Sequence, residues 1–130
     1  MRAKKSLGQN FLVDVGLQHE IVEALGCSKS DTVLEIGPGR GALTRHLVGR
    51  AGHLVLVELD DQFAEALRAE WGTRPDVDVL HRDFLELDWC AVVPDPTELL
   101  VVGNIPYNIT APIIFKLLER PRPRDIILMV

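Results

Sequence analysis

Asn104-Ile105-Pro106-Tyr107 is the segment of this chain best equipped for chemistry. An asparagine, a carbonyl stiffened by the following proline and an aromatic ring together suit the capture of an exocyclic aromatic amine. The Asn104 side-chain oxygen and the Ile105 backbone carbonyl can both accept hydrogen bonds from one NH2 group, and Tyr107 can stack on the ring that bears it. Two acceptors on such an amine draw its lone pair out of conjugation and aim it at an electrophile. The apolar run Leu99-Leu100-Val101-Val102 precedes this segment and reads as a buried strand feeding a sharp turn.

A second constellation lies upstream, at Glu35-Ile36-Gly37-Pro38-Gly39-Arg40-Gly41. Gly37, Gly39 and Gly41 alternate, so no side chain keeps a ligand away from the backbone, and the following segment opens as a helix. Strand, glycine loop and helix form the nucleotide-binding start of a doubly wound fold. Glu58 ends the next apolar run, at a distance from Gly37 that suits a carboxylate gripping both hydroxyls of a ribose. Gly37, Gly39 and Ala42 also meet the looser dinucleotide fingerprint, which keeps NAD open as a ligand. Three features favour S-adenosylmethionine instead. Pro38 stiffens the loop, Gly41 extends the alternation, and Glu35 places a carboxylate that repels pyrophosphate but serves an ammonium directly or through water.

These residues need a scaffold that brings strand ends together. Hydrophobic periodicity predicts a helix over 15–25, capped by Asp14 and closed by Gly26, with Leu17, Ile21 and Leu25 facing the core. Strands are predicted near 32–36, 54–58, 77–80, 99–103 and 126–130. Helices are predicted over 42–49, 61–70 and 111–119, with Asp60 and Asp61 capping the second of these and only a short turn after Asp83. Such alternation predicts an α/β fold, a parallel sheet with helices on both faces. Right-handed crossovers then bring Gly37, Glu58, Asp83 and Asn104 to one edge.

The chain has 130 residues, 47% of them apolar and 25% charged, a normal globular balance for one domain. Its short apolar runs exclude a membrane span, and Cys27 and Cys90 stand too far apart to suggest a metal site. Both read as reduced thiols packed as small apolar groups. His19, His46, His53 and His81 read as surface or structural residues, and Trp71 and Trp89 as packing under loops. The net charge of −5 has the wrong sign for an RNA-binding protein judged as a whole. The acid is concentrated, however: from His53 to Cys90 there are ten Asp and Glu against three Arg and no Lys. Arg2, Lys4 and Lys5 crowd one end, and Lys116, Arg120, Arg122 and Arg124 the other. These basic groups flank the Asn104 segment in sequence and are candidates for RNA phosphates.

The motif order resembles that of the rRNA adenine N6-dimethyltransferases. The resemblance rests on Lys4-Lys5-Ser6-Leu7-Gly8-Gln9-Asn10-Phe11-Leu12, then Glu35 to Gly41, Val57-Glu58, Asp83-Phe84 and Asn104-Ile105-Pro106-Tyr107, and it runs across essentially the whole chain. The opening resembles most the KsgA type, which acts on small-subunit (16S) rRNA; the Erm branch, which acts on 23S rRNA, shares every motif. The resemblance implies a Rossmann-like S-adenosylmethionine-dependent methyltransferase fold and double methylation of adenosine N6, giving N6,N6-dimethyladenosine. It implies that Asn10 and Leu12 contact the methionine part of the donor, with Gly37 against the methionine, Glu58 on the ribose and Asp83 on the adenine amine. The resemblance also implies that Asn104 lies between donor and target. The small ribosomal subunit is the implied partner, with no metal and no membrane, in the cytoplasm, the full-length protein being a monomer.

The family fold continues with two more sheet strands and a smaller helical domain. Residues 1–130 therefore read as the N-terminal part of a catalytic domain, truncated after the fifth strand and exposing an apolar sheet edge. A non-catalytic RNA- or ribosome-binding piece is the alternative from a different class.

Overall fold

A computed structural model describes residues 13–105 and 107–129. The expectations for Asn10, Leu12, Pro106 and the N-terminal basic residues fall outside the described residues, as does the side chain of Tyr107.

Helix α1 spans Val15–Leu25. Asp14 caps it in extended conformation, its Oδ1 accepting from the Leu17 N–H at 3.0 Å, and Gly26 closes it at φ +66° with its N–H donating to the Val22 carbonyl. Five strands follow, β1 Thr32–Ile36, β2 His53–Glu58, β3 Val77–His81, β4 Leu100–Asn104 and β5 Asp125–Met129. They are joined through α2 Thr44–Leu47, α3 Asp61–Trp71 and α4 Thr110–Leu118, with short 3-10 turns at Trp89–Val92, Pro96–Glu98 and Tyr107–Ile109. Asp60 caps α3, its Oδ1 accepting from the Gln62 and Phe63 N–H groups at 2.9 Å each.

All five strands are parallel, in the order β3-β2-β1-β4-β5. Strand alternation sends Val33, Leu54, Leu56, Leu100 and Val102 to one face, where they pack with Val22 and Leu25 of α1, Leu43 just before α2, Leu47 of α2 and Leu67 of α3. Leu34, Val55, Val57, Leu99 and Val101 cover the other face, with Trp89, Ile113 and Leu117. Strands buried on both faces explain the continuous apolar runs in the sequence. β5 forms the edge beyond β4, and its residues Ile126 to Met129 are half-buried.

The predicted elements match within about one residue at each end, except α2, which is two residues shorter at both ends. A helix over 42–49 was expected; only Thr44–Leu47 is α-helical. The chain leaves the glycine loop through a Gly41 N–H to Pro38 carbonyl turn, and Gly49 at φ +81° stops the helix soon afterwards. Among the described residues, no helix is long and apolar enough to cross a membrane.

Candidate active site

The strand order reverses between β1 and β4, and parallel strands diverge there into a crevice at their C-terminal ends. The register sets Ile36 level with Val57 on one side and Gly103 on the other, while Glu58 pairs with His81. Gly37, Glu58, Asp83 and Asn104, each at or just beyond a strand end, therefore share one rim. A cavity of ≈ 340 Å³ opens there, and Gly37, Gly39, Glu58, Asp83, Asn104 and Ile105 all line it.

Gly37 and Gly39 adopt φ +64° and +57°, the left-handed conformation that glycine reaches without steric cost. The Gly37 N–H donates to the Val57 carbonyl at 2.9 Å, tying the loop to the end of β2. Glu58 completes the hold. One carboxylate oxygen accepts from the Gly39 N–H at 2.7 Å and the other from the Asp60 N–H at 3.0 Å. Each oxygen retains a second lone pair for an incoming hydroxyl.

Gly41 does not line the cavity. A side chain there would meet Thr44 and Leu67, so it faces the helical layer and serves to turn the chain into α2. Glu35 also lies behind the loop. It shares the sheet face of Val33, opposite Leu34 and Ile36, and only 3% of it is exposed. The Thr44 hydroxyl donates to its Oε1 at 2.6 Å. Burial, partly offset by that hydrogen bond and reinforced by Glu58, pushes its pKa up to about 7.

Asp83 follows β3 and organises the turn that expectation placed there. Its Oδ1 accepts from the Leu85 N–H at 3.0 Å, and its backbone carbonyl accepts from the Glu86 and Leu87 N–H groups. Phe84, buried, and Leu59, 61% exposed, both line the cavity. Leu59 escaped sequence reasoning. Its signal was available: an apolar residue directly after the ribose-type acid, where the strand has ended and no core awaits it.

Asn104 ends β4 and is half-buried. Its carboxamide makes no hydrogen bond among the described residues, whereas the next N–H, of Ile105, donates to the Met129 carbonyl at 2.8 Å. The backbone is thus pinned and the Asn104 side chain is available. Gly103, just before it, permits the close approach of β4 to β1. A Cβ on Gly103 would lie 2.8 Å from the Ile36 carbonyl oxygen and 2.8 Å from Ile105 Cδ1. Gly103→Ala is expected to cost about 2 kcal/mol, because a backbone oxygen cannot move aside without parting two strands. Denaturant unfolding checks this, and an unchanged midpoint would refute the packing.

The basic cluster expected to meet RNA is divided by the fold. Lys116 donates to the Phe84 and Leu85 carbonyls, and Arg124 pairs with Asp31 at 3.0 Å and Glu98 at 3.1 Å, stapling the opposite end of the sheet. Arg120 and Arg122 are exposed, Arg122 donating to the Leu118 carbonyl. The histidines have structural partners: His46 shares a hydrogen bond with Gln18 and lies against the His19 ring, His53 shares one with Asp78, and His81 donates to the Leu59 carbonyl and stands 2.8 Å from Asp61. Trp89 is buried, Trp71 packs against the first core face, and both cysteines are free thiols.

A 3-2-1-4-5 parallel sheet with a glycine loop after β1, an acid at the end of β2 and a cavity at the switch point defines a Rossmann-like methyltransferase fold. The family description "Ribosomal RNA adenine dimethylase" matches residues 1–130, and the chain belongs to that family. A Methanopyrus kandleri protein named "Probable ribosomal RNA small subunit methyltransferase A" is 49% identical over 119 residues, covering 92% of this chain and 41% of that protein. Among solved structures, the 23S rRNA methyltransferase ErmE superposes with a TM-score of 0.74 at 37% identity, over 88% of this chain and 45% of that one. A dimethyladenosine transferase from Plasmodium falciparum gives 0.66 at 30% identity, over 82% and 38%. The chain therefore spans less than half the length of these relatives.

Proposed function

We propose that this protein transfers methyl groups from S-adenosylmethionine to N6 of adenosines in small-subunit rRNA, giving N6,N6-dimethyladenosine. The observation that carries the reading is the Asn104 carboxamide, which makes no hydrogen bond among the described residues, on the rim of a cavity that also holds Gly37, Glu58 and Asp83. The greater identity to the small-subunit relative, 49% against 37% for ErmE, favours 16S over 23S rRNA. A cytoplasmic setting follows from that substrate.

The site's donor set fits the methyl donor. Glu58 keeps a lone pair on each oxygen for the two ribose hydroxyls, and the Asp83 carboxylate can accept from an adenine amine. Leu59 and Phe84 supply apolar surface for a flat base, and Gly37 leaves its backbone open to the methionine portion. Asp60 and Asp83, added to the ribose-type acid Glu58, outnumber Arg82 on the cavity wall, and this net negative charge opposes a pyrophosphate, which disfavours NAD. Asn10 and Leu12 are assigned to the methionine end by resemblance; Gly41, expected among the donor-binding glycines, is assigned instead to turning the loop, since it faces Thr44 and Leu67.

When bound, the donor supplies an electrophilic sulfonium methyl. The chain's own part is to bind, orient and exclude water. Asn104 and the Ile105 carbonyl accept from the target amine; on the sequence reading alone, Tyr107 is assigned to stacking on its ring and Pro106 to stiffening the Ile105 carbonyl. Ile36, Val57 and Ile105 keep the cavity wall apolar. The adenosine has to leave its stack to arrive there. No strong base is needed, because the amine proton becomes acidic once its nitrogen carries the new methyl, so orientation is the main contribution.

Calorimetric titration tests the first step. Saturable binding of S-adenosylmethionine but not NAD is expected, with Glu58→Ala weakening it about 10- to 100-fold through two lost hydrogen bonds to the ribose. Binding of NAD alone, or of neither ligand by folded protein, would refute the reading. Methyl incorporation into small- and large-subunit rRNA offered in competition then decides between 16S and 23S substrates.

A further inference from the structure

Resting on the donor-binding reading above, we infer that Lys116 is a positioning residue that holds the adenine end of the donor pocket in register with the helix following the catalytic turn. Its ammonium donates to the Phe84 carbonyl at 2.7 Å and to the Leu85 carbonyl at 2.7 Å, across 32 and 31 residues of sequence. It also stands 5.3 Å from the centroid of the Phe84 ring. Two short charge-assisted hydrogen bonds to adjacent carbonyls engage two of the three ammonium donors.

What those bonds join makes the assignment functional. Phe84 and Leu85 directly follow Asp83, in a turn outside the sheet ladder whose other hydrogen bonds are local ones to Asp83 and Phe84 themselves, although the Phe84 ring packs in the core. Lys116 lies on α4, which begins six residues after Asn104. One turn earlier on that helix, Ile113 lines the same cavity as Phe84 and Asp83. The lysine is therefore a crossbar between the segment that would recognise adenine and the segment that would present the target. Without it, the turn keeps its internal hydrogen bonds and the packing of Phe84 in the core that Ile113 and Leu117 share, but loses its polar tie to α4 and with it the fixed orientation of its carbonyls. The sequence pointed elsewhere, to RNA phosphates, because a lysine near three arginines reads as surface charge.

The test compares Lys116→Met, which keeps the apolar stem, with Lys116→Arg, which restores two donors. Donor affinity is expected to fall about tenfold in Lys116→Met, with adenosine alone weakened by the same factor, and to recover in Lys116→Arg. RNA affinity and its salt dependence should stay at wild-type values. Hydrogen exchange at the Leu85 and Leu87 amides should quicken in Lys116→Met and slow again in Lys116→Arg. Should Lys116→Met fold poorly, Lys116→Gln, able to serve one carbonyl, is expected to show an intermediate loss. A lower unfolding temperature with wild-type donor affinity and exchange would overturn the proposal in favour of a merely structural role. Weakened RNA binding with intact donor binding would overturn it in favour of a phosphate contact. If folded wild-type protein binds no donor, the donor reading itself fails and takes this one with it.

Discussion

Asn104→Ala is expected to slow methyl transfer by about 10²–10³-fold while leaving the fold intact. The large kinetic effect follows from the side chain's place on the rim and from the absence of any hydrogen bond to it among the described residues. An amine held by one acceptor instead of two keeps more of its lone pair in the ring and meets the electrophile at a wider range of angles. The small structural effect follows from the backbone: the end of β4 is held by its pairing with β5 and by the Ile105 to Met129 hydrogen bond, neither of which uses the carboxamide. Single-turnover transfer to small-subunit rRNA, with donor affinity and unfolding temperature measured alongside, separates these effects. An unchanged rate in folded Asn104→Ala protein would remove Asn104 from the mechanism.

Glu35 should make stability fall as the solution is made more alkaline. Its pKa stands at about 7 in the folded protein against an ordinary value of 4.5, because burial penalises the carboxylate more than the Thr44 hydrogen bond supports it, and Glu58 adds repulsion. A raised folded value means that between about pH 4.5 and 7 the native state holds a proton that the unfolded chain has released. The stabilisation is complete below the lower value, declines through that window and is gone above the upper one. The difference amounts to about 3 kcal/mol. Glu35→Gln keeps an acceptor for the Thr44 hydroxyl and has no charge to bury. Its stability relative to wild type is therefore expected to rise by about 3 kcal/mol between pH 4 and pH 8. Denaturant unfolding across that range measures the difference directly. A constant difference would show that Glu35 is not desolvated as its burial implies.

Much of the fold was legible because its signals are local. Asp14 and Gly26 bracket α1 as cap and stop residues do wherever they occur, and the periodic apolar residues between them need no partner to be recognised. The apolar runs that became strands are continuous because a parallel sheet covered on both faces has no solvent side. Where local signals competed, the reading slipped. Around α2, apolar spacing suggested two full turns, and the glycines on either side allowed only one.

The site divides in the same way. Glycines that alternate, an acid at a strand end and the Asn104 segment are chemical statements that survive without coordinates, and so is their convergence, since crossover handedness admits few ways to join such strands. What each polar group faces is a different matter. Glu35 and Glu58 are both acids on one face of the sheet, yet their levels differ: Glu35, beside Leu56, stays behind the loop with Thr44, and Glu58, two levels further at the end of β2, lines the cavity and grips Gly39. Lys116 and Arg124 read as one basic patch; the fold sends one to the carbonyls after Asp83 and the other to Asp31 and Glu98 at the opposite end of the sheet. Residue type and spacing by themselves determined the fold class and the chemistry this chain is equipped for, because those depend on backbone propensity and on which atoms can donate or accept; the family came from the resemblance of its motif order. Only the tertiary structure decided which carboxylate is desolvated, which cation is already engaged and which carboxamide remains available, because desolvation and hydrogen bonding depend on neighbours brought close in space from distant parts of the chain.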